Sequence, residues 1–398
     1  MSSIEDLLDS RQPGHSLPQA FYADPDVYNL EVERIITRNW ILVGHQSEWA
    51  HNGDFKVFDV AGESAIVVRG DDGVIRGFAN VCRHRGSLVC LESTGTARKF
   101  ACPYHGWVYD LEGRLTAARA MPDDFDFSTH GLNPVAVGII HGLVFVAFCS
   151  DPPSLDGAIR ELAEPMAMFD FENLKVAAYK RYDIAANWKL AIENYQECYH
   201  CATAHPEYAA RHTLMLDPAK RPRLQEAMLE TMEACGLQKI HIDHIDTAAR
   251  PGEIGYGYSR TAMFDGYVTG SRDGRPVAPL LGKLTGYDGG ASDFSLGAFT
   301  FVLAYSDHVV CYVFTPVDMN NSCCEIYWLV RGDAVEGKDY DRNELTWLWD
   351  VTTAADVTII ENNARGVRSK YYEPGPFSRF EKAENVYIEW ILQELARP

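Results

Sequence analysis

The chain has 398 residues, 46% hydrophobic, 12% aromatic and 23% charged, a globular composition too apolar for disorder and long enough for two or three domains. A formal net charge of −20 lacks the basic footprint that a nucleic-acid surface requires and mildly favours cationic ligands. The N-terminal segment carries acids early and has no apolar h-region, so neither secretion nor a membrane span is expected, and the protein is expected in the cytoplasm.

In chain order, residues 1–40 read as helical around VYNLEVERIITRNW. FKVFDV, ESAIVVRG, GVIRGFANV and GLVFVAF then alternate or run apolar between turn signals, with a hairpin signal at Asp71-Asp72-Gly73, which predicts a β-rich domain over 41–150. The run SDPPSLDG punctuates the chain and places a domain boundary there, with a second domain over 151–398. That domain is expected to hold a polar helix at RLQEAMLETMEACGL, a Gly-rich passage near 251–292, and two long strands broken at Ser306-Asp307. A further strand, CCEIYWLVRG, a helical block from Arg342 to Lys370 and a last helix in ENVYIEWILQELAR complete it.

Ten cysteines in a chain of this length without a signal peptide are expected as reduced thiols, some of them metal ligands. Cys149, Cys235 and Cys311 read as buried packing thiols, and Cys323 and Cys324 carry no assigned role. Cys82 and Cys102 differ, because each stands beside a histidine in CRHRG and CPYHGW: Cys82-x-His84, seventeen residues, then Cys102-x-x-His105. Two loops that each offer one thiolate and one imidazole suit a dinuclear centre in which one iron takes both cysteines and the other both histidines. A structural zinc is the alternative, although its knuckles usually pair Cys with Cys and His with His. Gly86 and Gly106 permit the tight turns such loops need.

A second constellation lies in ENYQECYHCATAHPEY, residues 193–208. Glu193, Glu197 and His200 fall at i, i+4 and i+7 and would share one helical face. His200 and His205 are five apart, about 140° around a continuous helix and too splayed for one ion, so the helix must end between them. Pro206 gives a reason, since it disfavours helical geometry at His205. Two histidines and one carboxylate would make the facial triad of a non-haem iron(II) site with room for oxygen. Asp356, in the middle of an apolar stripe in the last helical block, is the best distant carboxylate, since a core-facing acid needs a partner. The competing reading for Asp356 is a buried salt bridge to Arg365 or Lys189. Asp350 reads as surface, and Cys198 and Cys201 as helix packing rather than a C-x-x-C redox or zinc motif.

Together, CRHRG…CPYHGW followed by NWKLAIENYQECYHCATAHP resembles the catalytic α subunit of Rieske non-haem iron oxygenases, over nearly the whole chain. The resemblance implies an α+β protein: an N-terminal all-β Rieske [2Fe–2S] domain and a C-terminal helix-grip (START-like) domain with an antiparallel sheet, residues 1–40 packing on the latter. It implies a cluster on Cys82, His84, Cys102 and His105, a mononuclear Fe(II) on His200, His205 and Asp356, and O2 as co-substrate. NAD(P)H would act indirectly through a separate flavin/iron–sulfur reductase or a ferredoxin, since the chain carries no dinucleotide fingerprint or P-loop. Members form head-to-tail homotrimers in which an acid links the cluster of one subunit to the iron of the next, a position matched here by Glu197.

Ring-hydroxylating members usually carry Asp at that position, whereas Glu resembles the branch acting on quaternary ammonium compounds such as carnitine, glycine betaine and stachydrine. WLVRGDAVEGKDYD and RSKYYEPGPFS resemble segments of that branch, while Ala364 departs from the Gln common in the run matching ENNARG. N-demethylation of a cationic small molecule with release of formaldehyde is therefore expected. Ring hydroxylation or O-demethylation of an aromatic acid is the alternative, and a Rieske electron carrier without catalysis a third. Tyr195, Tyr199, Tyr208, Tyr305 and Tyr312 are available to face an ammonium group.

Overall fold

Alternation of apolar and polar residues between 41 and 147 produces short antiparallel strands, as expected from period-2 patterning. In a computed structural model that describes residues 4–216, 220–235, 245–247 and 252–397, the chain opens with helices α1 (Ile4–Ser10), α2 (Ala20–Ala23) and α3 (Pro25–Glu31), continued by one π-helical turn over Val32–Ile36. Asp24 caps α3 by accepting the backbone N–H of Asp26, and Pro25 occupies the first turn, where its missing N–H costs nothing.

The strands β1 (Ile41–His45), β2 (Asp54–Val60), β3 (Glu63–Arg69), β4 (Ile75–Ala79) and β5 (Thr94–Thr96) follow. A three-stranded sheet of β6 (Phe100–Ala101), β7 (Val108–Tyr109) and β8 (Leu115–Ala117) comes next, then β9 (Pro134–Ile140) and β10 (Leu143–Ala147). The larger sheet has the order β1-β10-β9-β4-β3-β2-β5, with antiparallel pairing throughout. The predicted hairpin at Asp71-Asp72-Gly73 joins β3 to β4.

After α4 (Asp156–Glu161) and α5 (Ala163–Met168), β11 (Leu174–Ile184) enters the second sheet and leads into α6 (Trp188–Gln196). The short helices α7 (Cys201–Ala204) and α8 (Pro206–Ala209) precede α9 (Arg221–Ala234), the predicted polar helix. The remaining strands are β12 (Ile245–Thr247), β13 (Tyr256–Ala262), β14 (Gly290–Leu296), β15 (Thr300–Ala304), β16 (Val309–Asp318) and β17 (Asn321–Arg331). They order as β11-β17-β16-β15-β14-β13-β12, and the 26-residue helix α10 (Arg342–Val367) and then α11 (Lys382–Leu395) follow. The α+β architecture agrees with the sequence reading, including the strand break at Ser306-Asp307. β13 and the start of β14 correct the expectation for 251–292, where the sequence predicts only a Gly-rich passage.

Residues 4–36 are tied to the second sheet's helices rather than to the first sheet. Glu31 and Lys189 form an ion pair at 2.6 Å with both side chains fully buried, and Trp188 donates to the same carboxylate at 2.9 Å. Tyr22 donates to Glu193, and Arg11 grips Glu389 with two hydrogen bonds. Burial raises the Glu193 carboxyl above its ordinary range, against the pull of Lys189 and Tyr22.

Candidate metal centres

CRHRG and CPYHGW fold as two copies of one turn. The N–H of Cys82 donates to the Ser87 carbonyl (2.8 Å) and that of Gly86 to the Cys82 carbonyl (3.0 Å); Cys102, Trp107 and Gly106 repeat both bonds at 2.8 and 3.0 Å. Each turn closes on a glycine in the left-handed region, Gly86 at φ +78° and Gly106 at φ +73°, where a side chain would be strained. Both thiols are buried while the His84 ring is exposed and the His105 ring half-buried. Their Nδ1 atoms face one another at 3.1 Å, near enough for both to bind one ion. Behind them the Tyr109 hydroxyl lies 3.3 Å from Cys82 Sγ and accepts the backbone N–H of Arg83, and Trp107 stacks on His84 at 4.8 Å. Tyr104, tilted against the His105 ring, is exposed, with Arg85 over its ring.

The second group forms where α6 ends. Gln196 is its last residue, and Glu197 is extended at φ −130°, ψ 157°. This corrects the expectation that Glu193, Glu197 and His200 share one continuous helical face: Glu193 stays on α6, buried against Tyr22, while Glu197 turns into the cavity. The freed Glu197 carboxylate accepts the backbone N–H groups of Tyr199 and His200 and receives His200 Nδ1–H at 2.5 Å. With Nδ1 engaged there, the Nε2 lone pair of His200 points away from the carboxylate. The predicted break between the histidines occurs at His205 (φ −144°, ψ 79°), where α7 ends and Pro206 opens α8.

Three atoms converge as a result. His200 Nε2 and His205 Nε2 lie 3.1 Å apart, and Asp356 Oδ1, from the middle of α10, lies 3.3 and 3.0 Å from them. Ligands at right angles about an ion with bonds of about 2.1 Å would be about 3.0 Å apart, so this triangle fits one face of an octahedral metal site. Asp356 is an edge acid rather than a core acid: its side chain is 24% exposed and lines the cavity. Burial alone would raise its pKa, but the two histidines beside it hold it below the usual carboxylate range. Contacts with the Asp356 and Glu197 carboxylates overcome desolvation at His200 and push that imidazole up to about 9. Lys189 is committed to Glu31, and Asp350 accepts from Lys180 and Tyr182 at the protein surface.

The cavity has a volume of about 280 Å³ and is lined only by residues from 194 onward, with none from the β-rich segment 41–150. Tyr195, Tyr208, Tyr312 and Trp349 contribute aromatic faces, and Glu197, Asp293 and Asp356 contribute carboxylates. Of the other tyrosines singled out in the sequence, Tyr199 is exposed and Tyr305 sits one layer behind the wall. Ala364 is buried away from the cavity lining, so its departure from Gln does not reshape the lining described here. Asp293 and the carboxylate caps of Glu197 carry no signal in the sequence reading; Trp349, seven residues before Asp356 on α10, belongs to the same apolar stripe as that acid, and the structure adds its place on the cavity wall.

The cysteines bring two corrections. Cys198 and Cys201, the latter the first residue of α7, are paired in a disulfide rather than reduced packing thiols. Cys149 and Cys235 are only half-buried, whereas Cys311 is fully buried as expected.

Residues 39–134 match the Rieske [2Fe-2S] domain, and residues 171–396 match the ring hydroxylating alpha subunit (catalytic domain). The chain is 38% identical to the glycine betaine monooxygenase oxygenase subunit of Chromohalobacter salexigens over 390 residues, 97% of this chain and 87% of that protein. It is 34% identical to the protein of the same name from Pseudomonas aeruginosa PAO1 over 397 residues, 98% of this chain and 91% of the other. In fold it is similar to the quaternary ammonium Rieske monooxygenase CntA in complex with L-carnitine, with a TM-score of 0.71 at 23% identity, over 98% and 97% of the two chains. The chain therefore belongs to the ring-hydroxylating alpha-subunit family of Rieske oxygenases.

Proposed function

We propose that this oxidoreductase hydroxylates an N-methyl carbon of a quaternary ammonium compound, and that Cys82, His84, Cys102 and His105 hold the [2Fe–2S] cluster while His200, His205 and Asp356 hold the mononuclear iron. The observation that carries the substrate class is the cavity: aromatic faces and three carboxylates line it, and no Lys or Arg is among its described lining residues. A methylated ammonium group is attracted by aromatic faces and by negative charge, attractions that an aromatic acid without a cationic group would not use. Relatives named for glycine betaine, and a fold neighbour solved with L-carnitine, support the same class.

The donor sets suit these groups: two thiolates and two imidazoles for the cluster, two imidazoles and a carboxylate with open positions for iron. When bound, the iron supplies dioxygen activation, using electrons passed on from the cluster. The chain's own residues do the rest. The aromatic wall turns the methyl groups toward the triad, and Glu197 holds His200 in the tautomer that leaves Nε2 free. Hydroxylation of an N-methyl carbon gives an N-hydroxymethyl ammonium ion, which breaks its C–N bond to release the tertiary amine, formaldehyde and a proton.

A separate reductase supplies electrons, as the name "oxygenase subunit" in its relatives implies. We assign the working assembly to a head-to-tail homotrimer in the cytoplasm, divided per chain into residues 1–40, 41–150 and 151–398. The outward-facing histidine edge of CRHRG and CPYHGW supports this, because a cavity built only from residues beyond 194 is then reached from a neighbouring copy. Among the described residues no helix is long and apolar enough to cross a membrane.

The test is formaldehyde release from glycine betaine, carnitine and stachydrine with a surrogate reductase, beside an aromatic acid. Turnover of at least one ammonium compound is expected; oxidation of the aromatic acid alone would overturn the assignment.

A further inference from the structure

One layer behind the cavity wall, away from any surface, lies a polar pair that the proposed reaction does not use. Tyr305 is fully buried, and its hydroxyl is 2.6 Å from Nε2 of buried His212. His212 Nδ1 lies 3.0 Å from the Tyr208 carbonyl, which can only accept, so Nδ1 carries the proton and Nε2 accepts from the Tyr305 hydroxyl. Burial holds the His212 pKa down at about 4, which keeps the ring an unprotonated base at neutral pH. A packing tyrosine needs a hydrogen-bond partner, but it does not need a base.

The pair is wired to the metal triad by aromatic rings. Tyr208 meets the His205 ring edge-to-face at 5.7 Å, and His212 stacks on Tyr208 at 3.9 Å. Trp349 lies 6.1 Å from Tyr208 and 5.7 Å from Tyr305. The tyrosine nearest in kind, Tyr195 on the cavity wall, has a buried hydroxyl with no hydrogen-bond partner among the described residues, so its phenolic proton would have no acceptor. Of these two, Tyr305 is the one whose proton has an acceptor.

We propose that Tyr305 and His212 form a redox-active pair that drains oxidising equivalents left at the mononuclear site when dioxygen is reduced without substrate oxidation. In that step Tyr305 loses one electron, which travels through Trp349 or Tyr208 to reduce the metal site by one equivalent. Its hydroxyl proton moves to His212 Nε2, leaving a neutral tyrosyl radical and an imidazolium. An electron from the reductase chain and the return of the same proton restore both residues. The inference rests on dioxygen chemistry at the triad and not on which substrate is used.

The experiment uses the holoenzyme with its cluster and iron, exposed to dioxygen and a surrogate reductase without substrate, then freeze-quenched for high-field EPR and ENDOR. Wild type is expected to give a tyrosyl radical coupled to an exchangeable proton that disappears in D2O. Tyr305→Phe should lose the signal and Tyr195→Phe keep it. Peptides carrying His200 and His205 should accumulate more oxidation in Tyr305→Phe by mass spectrometry, while substrate-coupled turnover stays at the wild-type level. The wild-type D2O measurement stands even if Tyr305→Phe fails to fold. No radical in wild type, a radical without the exchangeable coupling, or a signal that survives Tyr305→Phe would each overturn the proposal.

Discussion

The two candidate metal centres are built in opposite ways. The cluster loops repeat one five-residue turn twice, with local hydrogen bonds and a positive-φ glycine in each, and present imidazoles at the surface. The triad joins two histidines, at the start of α7 and at its junction with α8, to an acid of α10 that lies 151 positions beyond the second of them, and turns all three onto a cavity. The difference teaches a division of labour. An exposed imidazole edge can exchange electrons with other proteins, whereas a recessed triad can keep reactive oxygen chemistry against a chosen substrate. Glu197 stands between the two designs, since one carboxylate orients His200 and caps the turn while 11% of its side chain remains exposed.

Breaking either side of this contrast gives distinct results. The largest effect is expected from Cys102→Ser, which should remove the visible Rieske spectrum and all reductase-driven turnover while the mononuclear iron stays bound; retention of the spectrum would show that Cys102 is no ligand. Glu197→Gln sharpens the comparison, because both metals should remain while turnover falls about 10- to 100-fold, the usual effect of removing a partner that orients a ligand histidine. Steady-state rates at matched metal content measure it, and wild-type rates would remove the role assigned to Glu197. Lys189→Met acts on the scaffold alone. It strands Glu31 as an unpaired buried acid and should lower the stability of the folded chain by about 3–5 kcal/mol in denaturant unfolding, with the cluster spectrum unchanged before the transition.

The same contrast explains what could be read from the chain. The cluster loops were legible because every residue they need lies within a few positions of a glycine turn, and the strands of the first sheet because they alternate plainly. The triad was legible only in part. Its histidines are close in sequence, but the helix ends at Gln196 because the Glu197 side chain captures the N–H groups of Tyr199 and His200, a competition that spacing alone does not reveal. β13 was missed because an inward-facing residue is Arg260, buried by a two-toothed pairing with Asp288, so the strand reads as polar. β11 was missed because it is an edge strand whose middle, Lys180-Arg181, is exposed and charged. The Cys198–Cys201 pairing left no trace distinguishable from two cysteines on a helix.

Iron counting on the Asp356→Ala variant tests the central claim most directly. The wild-type holoenzyme should contain three irons and two acid-labile sulfides per chain, as a [2Fe–2S] cluster plus one mononuclear iron requires. The variant should fall to two irons with the Rieske EPR signal intact and no formaldehyde from any ammonium substrate. Three irons in the variant, or turnover with two, would contradict the account.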